Sequence, residues 1–205
     1  MSEYSNIILA NGEFPRHEFA INILNNASTI ICTDGSANNL INYGIKPDYI
    51  IGDLDSLHQH IKSNDENIIR VYDQNKNDLE KAIEYFLTNH SNKKLVILGA
   101  TGQRDDQNLA SLLLLDKYSK SLSISMITNY FKIVVNKGKN IYPSRPGQTI
   151  SLLPLNMINK ITTEGLEYDL LNHKLATNSL GVSNVALDDK FLIDSSENIF
   201  VFMEI

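Results

Sequence analysis

Several things are missing from this chain of 205 residues, and each absence removes a class of protein. It has a single cysteine, Cys32, so no disulfide can form within one chain and a disulfide-stapled secreted scaffold is excluded. Cys32 lies inside the apolar run STIICTD and reads as a small buried hydrophobe, not a nucleophile. No stretch approaches the roughly 18 uninterrupted apolar residues of a membrane helix. The polar start MSEYSN has neither the basic region nor the apolar core of a secretory signal, so a cytoplasmic protein is expected. Lys and Arg number 18 against 24 acids, and they do not cluster. The net charge of −6 therefore argues against nucleic acid as a partner, while leaving open a phosphate ligand carried by a metal ion. Internal repeats and low-complexity tracts are also absent.

What is present is an alternation. A hydrophobic content of 42% with 20% charged residues is ordinary for a soluble globular chain, and the length suits one domain or two small ones. From residue 6 to about 127, the short apolar runs NIILAN, TIICTD, DYIIGD, IIRVYD and KLVILGA have strand length and β-branched content. Between them lie helical stretches. In DLEKAIEYFLTN, Leu79, Ala82, Ile83, Phe86 and Leu87 recur at helix spacing, and DQNLASLLLLDKY places Leu109, Leu112 and Leu113 on one side. Alternation of this kind predicts an α/β domain with a mostly parallel sheet, a Rossmann-like three-layer arrangement, over residues 1–130. After about residue 128 the helical signal stops. FKIVVN, KNIYP, QTISLLPL, KITTEGLEY, SLGVSNVAL, KFLID and NIFVFMEI are short strand-like runs broken by Gly, Pro, Asn and Asp. They predict an all-β sandwich or barrel-like domain over residues 131–205, the boundary falling between Ile127 and Gln148. LIDSSENIFV reads as a terminal hairpin turning near Ser195 to Asn198.

In an open parallel sheet, ligands bind in the crevice outside the carboxyl ends of the strands. Four successive predicted strands deliver acids to that edge: Asp34 after TIICTD, Asp53 and Asp55 after DYIIGD, Asp73 and Asp78 after IIRVYD, and Asp105 and Asp106 after LVILGATGQR. Such a cluster repels itself unless cations neutralise it. Mg²⁺, a hard ion that completes its shell with water and substrate phosphates, is the natural solution. Arg104 and the glycine-containing GATG turn, Gly99 to Gly102, add a phosphate signal, since glycines allow close backbone approach and free amides at a helix start favour anions. Taken singly, Asp34, Asn77, Asp78, Asp105 and Asp106 also suit helix caps and first turns. In the extended segment expected here, Leu54 turns away while Asp53 and Asp55 face one side. His58 and His60 diverge on a helix and are read as solvated, not as metal ligands.

In order along the chain, DGSA (Asp34 to Ala37), PDYIIGDLDS (Pro47 to Ser56), DQNKND (Asp73 to Asp78) and GATGQRDDQ (Gly99 to Gln107) resemble the motif series of thiamine pyrophosphokinases. GLEYDL (Gly165 to Leu170) and GVSN (Gly181 to Asn184) resemble that family's motifs in its second domain. The resemblance implies an N-terminal ATP-binding domain, a C-terminal β domain that helps form the thiamine pocket, and a homodimer with active sites between subunits. It implies the reaction of ATP with thiamine to give thiamine diphosphate and AMP. Carried over by position, Asp53, Asp55, Asp78 and Asp106 hold Mg²⁺ and, with Arg104, carry catalysis. Asp34, Gly35, Gln74, Asn77, Gly102 and Arg104 contact ATP, and Ser183 and Asn184 bind thiamine. The chain departs from the pattern at Asn77, where Thr is usual, and at Gln103 and Gln107, where the family has Gly and His. It also precedes the Ser-Asn pair with Val182 in place of Thr, and has no Trp to set against the substrate. Two alternatives remain in view: a related hydroxymethylpterin pyrophosphokinase, and a nucleotide or thiamine sensor without turnover.

Overall fold

A computed structural model of the chain describes residues 4–62, 67–156, 160–175 and 179–205, with the side chains of His60 and Lys62 outside the description. The chain divides into two compact units, Met1–Asn129 and Tyr130–Ile205.

In the first unit the strands are β1 (Asn6–Leu9), β2 (Thr29–Thr33), β3 (Tyr49–Gly52), β4 (Ile68–Arg70), β5 (Lys94–Leu98) and β6 (Ser123–Ile127). Between them run α1 (Glu18–Asn25), α2 (Ser36–Tyr43), α3 (Gln59–Lys62), α4 (Asp78–Asn89) and α5 (Asp105–Ser119). All strand pairs here are parallel, in the order β6-β5-β1-β2-β3-β4. The strands are buried nearly throughout because helices cover them: Ile7, Ile8, Cys32, Ile51 and Ile97 are each within 1% of full burial. Burial pushes the Cys32 thiol up to about 12, so it is an inert core atom at neutral pH. Helix α4 buries Leu79, Ala82, Ile83 and Phe86 along the face its periodicity predicts. Helix α5 forms where predicted but turns differently. Ser111, Leu114, Leu115 and Tyr118 are buried, while Leu109 and Leu113 are 60% and 52% exposed. An unbroken LLLL run carries no period from which a face can be chosen.

The second unit is antiparallel throughout. It comprises β7 (Phe131–Pro143), β8 (Thr149–Pro154), β9 (Lys160–Glu164), β10 (His173–Lys174), β11 (Asn184–Val185) and β12 (Lys190–Glu204). β7 and β12 pair along their length, and β12 changes its other partner midway: Leu192 to Ser195 pair with β9, Ile199 to Met203 with β8. Ile150, Leu152, Ile161, Phe191, Ile193 and Val201 form its core. The expected terminal hairpin is therefore replaced by one continuous strand. The polar stretch after Ser195 is absorbed as an irregularity in the β7–β12 register, with Ser195 opposite Gly138 and Ile199 opposite Asn136. Buried Asn136 holds that step, donating to Ser195 Oγ at 2.8 Å and accepting from Tyr142 Oη at 2.7 Å and Asn140 Nδ2 at 2.8 Å. Among the described residues, no helix is long and apolar enough to cross a membrane.

Candidate functional site

Strand order in the first unit reverses at β1, where β5 lies on one side and β2 on the other. Loops leaving these strands part at such a switch point and leave a crevice. Here the crevice is a cavity of about 460 Å³, within the range of small-molecule sites. Its walls come from the loops after β1 (Ala10, Asn11, Gly12), β2 (Thr33, Asp34) and β3 (Asp53, Ser56). The loop into α4 (Gln74, Lys76, Asn77), α4 itself (Asp78, Lys81) and the segment leading into α5 (Ala100, Gln103, Arg104, Gln107) complete them. The β1 and β5 loops are tied together by Gly12 N donating to Gly99 O at 2.7 Å and Glu13 N to Thr101 O at 2.8 Å.

Carboxylate oxygens of Asp34, Asp53 and Asp78 lie within 4.8 Å of one another. The backbone makes room for them at Gly52, whose φ is 158°. A Cβ there would stand 3.0 Å from Asp34 Cβ and 3.1 Å from Asp78 Cγ. Asp34 itself has φ 37°, a left-handed conformation that costs a non-glycine residue on the order of 1 kcal/mol or more. One of its oxygens accepts from Ser56 N at 3.0 Å. The other, Oδ1, is buried with no hydrogen-bond partner in the structure. Burial is the main force pushing the Asp34 carboxyl above the ordinary range; the Ser56 amide opposes it, while Asp78 and Asp53 add to it. A buried orphan oxygen beside two more carboxylates is the donor set a hard divalent cation takes.

Of the other acids expected here, Asp55 and Asp106 are not part of this group. Leu54 has φ 69° and is buried, so the chain turns at Asp53 instead of continuing extended; Asp55 is exposed, its amide donating to Asp53 Oδ1 at 3.2 Å. The supposed alternation of Asp53 and Asp55 on one side therefore does not apply. Asp106 forms a two-pronged pair with Arg104, Nη2 to Oδ2 at 2.6 Å and Nε to Oδ1 at 3.1 Å. That guanidinium holds the Asp106 carboxyl below the usual range. Asn77 caps α4, its Oδ1 accepting from Glu80 N at 2.9 Å, while its amide reaches Gln107 Oε1 at 3.5 Å. Gln74 and Arg104 line the cavity. The glycines of GATG serve close packing: a Cβ on Gly102 would meet Glu13 Cβ at 2.7 Å, and the Gly102 amide donates to Asn108 Oδ1 at 3.1 Å. Gly35 likewise lets Asn11 approach, its would-be Cβ lying 2.8 Å from Asn11 Nδ2.

In the second unit Ser183 is exposed, with φ 61°. Asn184 is buried, and its carboxamide clamps a neighbouring loop: Oδ1 accepts from Tyr168 N at 3.1 Å and Nδ2 donates to Tyr168 O at 2.9 Å. Two features of the first-unit cavity escape the sequence reading. Asn11 and Gly12 carry no motif signal, and Lys81 lies one helical turn from Asp78, where a lysine on an amphipathic helix ordinarily reads as solvated.

The family model described as "Thiamin pyrophosphokinase, catalytic domain" matches residues 20–127, and that described as "Thiamin pyrophosphokinase, vitamin B1 binding domain" matches residues 132–200. Thiamine pyrophosphokinase 1 of Oryza sativa subsp. japonica is 25% identical, over 94% of this chain and 84% of its own. Two solved structures share the fold. The thiamin pyrophosphokinase of Candida albicans has TM-score 0.85 and 23% identity, covering 99% of this chain and 90% of its own. That of Bacillus subtilis has TM-score 0.83 and 22% identity, covering 97% of this chain and 98% of its own.

Proposed function

The chain belongs to the thiamin pyrophosphokinase family, and from that premise we propose how its own residues serve the transfer of a pyrophosphoryl group from ATP to thiamine. The products are thiamine diphosphate and AMP. The observation that carries the assignment of roles is the trio Asp34, Asp53 and Asp78, with its orphan oxygen, in the switch-point cavity. These three would hold Mg²⁺, which when bound neutralises phosphate oxygens. Asp55 and Asp106 stand outside the trio and would act from the rim.

The chemistry is an in-line displacement. The primary hydroxyl of thiamine attacks the β-phosphorus and gives up its proton to solvent, the bond from that phosphorus to the oxygen bridging the α-phosphate breaks, and AMP leaves with the electron pair. Such a reaction asks little covalent work of the protein, so positioning and charge dominate. Gln74 and Arg104 on the cavity wall would contact phosphates; Arg104 must exchange Asp106 for them. Gly35, Asn77 and Gly102 would shape the nucleotide walls through close packing and capping. Ser183 would touch thiamine, while Asn184, its carboxamide spent on Tyr168, would hold the loop beside it. An acidic pocket suits a cationic thiazolium.

Residues 1–130 serve as the ATP-binding domain, and the parallel strand order supports a three-layer α/β arrangement. Residues 131–205 serve as the thiamine-binding domain, and the partner change along β12 supports a β-sandwich. Family resemblance supports a homodimer, which light scattering would measure, and the single buried, inert cysteine supports a reducing, cytoplasmic location.

Incubation with ATP, Mg²⁺ and thiamine tests the reading. AMP and thiamine diphosphate are expected; ADP would indicate ordinary phosphoryl transfer, and ATP binding without turnover would indicate a sensor. Asp53→Asn should cut turnover roughly 100-fold or more with the circular dichroism unchanged. Near-normal turnover would remove Asp53 from the metal site.

A further inference from the structure

Lys81 is the one buried ammonium of the cavity wall. Its side chain is 4% exposed, against 33% for Lys76 and 68% for Arg104. Lysine is almost never this buried without a partner, and here the partner is Asp78, whose Oδ1 accepts from Nζ at 2.9 Å. Among the described residues, this is the only ion pair made by any of Asp34, Asp53 and Asp78. The other cations of the cavity are engaged elsewhere, Lys76 with Glu84 at 2.7 Å and Arg104 with Asp106 at 2.6 Å. An ammonium carries three donor hydrogens. One goes to Asp78, and no described residue accepts the other two.

We propose that Lys81 is a phosphate-binding residue of this cavity, fixed in place by Asp78 and donating to a phosphate oxygen of the nucleotide. The geometry separates its role from that of Arg104. Burial and the ion pair freeze the Lys81 stem before the ligand arrives, so little side-chain entropy remains to be lost on binding. The same ion pair takes one oxygen of Asp78 and leaves the second, Oδ2, for a cation. Lys81 thus binds an anion at the point where Asp78 binds a metal, and the two charges meet across the polyphosphate. This assignment rests on the nucleotide-site reading above.

The test is calorimetric binding without thiamine, so that no turnover occurs, using the full chain and three probes with Mg²⁺: a non-hydrolysable ATP analogue, inorganic tripolyphosphate and adenosine. Lys81→Met should weaken the ATP analogue and tripolyphosphate by roughly 10- to 100-fold, the loss of one charge-assisted hydrogen bond, and leave adenosine unchanged. Lys81→Arg, which keeps the charge, should recover part of the loss. Equal weakening of adenosine, or no weakening of any probe, would overturn the role of Lys81 while the site reading stands. Failure of the wild-type protein to bind the ATP analogue would overturn the site reading and Lys81 together. Should Lys81→Met not fold, the ammonium signal of Lys81 in lysine-15N-labelled wild-type protein, assigned with Lys81→Arg, decides the matter. It should shift with tripolyphosphate and not with adenosine, and a signal indifferent to tripolyphosphate refutes the contact.

Discussion

Asp34 keeps one carboxylate oxygen buried without a hydrogen bond, in a left-handed backbone conformation, a few ångströms from two more acids. In metal-free protein that arrangement is destabilising, and its pH dependence has a definite sign. The folded-state pKa of Asp34 is raised above its unfolded value, so between those two values the folded state binds more protons and stability falls as pH rises. Above the folded pKa the whole penalty is present; below the ordinary carboxylate pKa of about 4 it vanishes. Asp34→Asn in the presence of a chelator should therefore stabilise the fold by about 1 kcal/mol at pH 8, the low end for an unsatisfied buried acceptor. The gain should disappear near pH 4, as thermal melts at the two pH values would show. Asp34, Asp53 and Asp78 were all legible in the sequence, because each follows a strand-like run or opens a helix at the same edge of a parallel sheet. Asp55 and Asp106 fit the same rule. Local geometry separated them from the trio: a left-handed Leu54 in one case, and the grip of Arg104 in the other.

Helix α4 shows how much a single element can position. Asn77 caps it, Asp78 opens it into the cavity, Lys81 follows one turn later on the same side, and Leu79, Ala82, Ile83 and Phe86 seat it in the core. Period alone found the helix and its buried face, but not that the buried face included a lysine, because a lysine is buried only when its partner is placed beside it. On α5 the run of four leucines left the face undetermined, and packing chose Leu114 and Leu115. The ribbon of β7 and β12 is the opposite case, in which polar residues that spell a turn are held within a strand. Asn136 is what holds them. Asn136→Ala would leave the half-buried hydroxyl of Tyr142 without its acceptor and the buried hydroxyl of Ser195 without its donor, while the Asn140 amide keeps Lys137 O. A loss of about 2–3 kcal/mol is expected from urea unfolding followed by circular dichroism; a change under 0.5 kcal/mol would show that the step in register does not depend on it.

For the whole molecule, the acid cluster makes stability depend on what the cavity holds. A ligand at 100 times its dissociation constant adds about 2.7 kcal/mol, which for a chain of this size raises the melting temperature by roughly 5–10 °C. Mg²⁺ with a non-hydrolysable ATP analogue should produce that rise in the wild-type protein, and Asp53→Asn should lose most of it; an undiminished rise would place the metal elsewhere. The sequence by itself determined the alternation of strand and helix, the change to antiparallel strands after residue 128, the burial of Cys32 and the edge at which the acids gather. These follow from period, composition and the right-handed βαβ connection, all of which are local or nearly so. Only the tertiary structure decided which acids meet, which face of α5 is inside, that the polar stretch after Ser195 stays in β12, and that Lys81 is buried against Asp78. Each depends on packing that only the fold supplies: even where the partner is local, as Asp78 is to Lys81 on α4, burial is set by what packs around the pair, and it outweighs the preference of any residue alone.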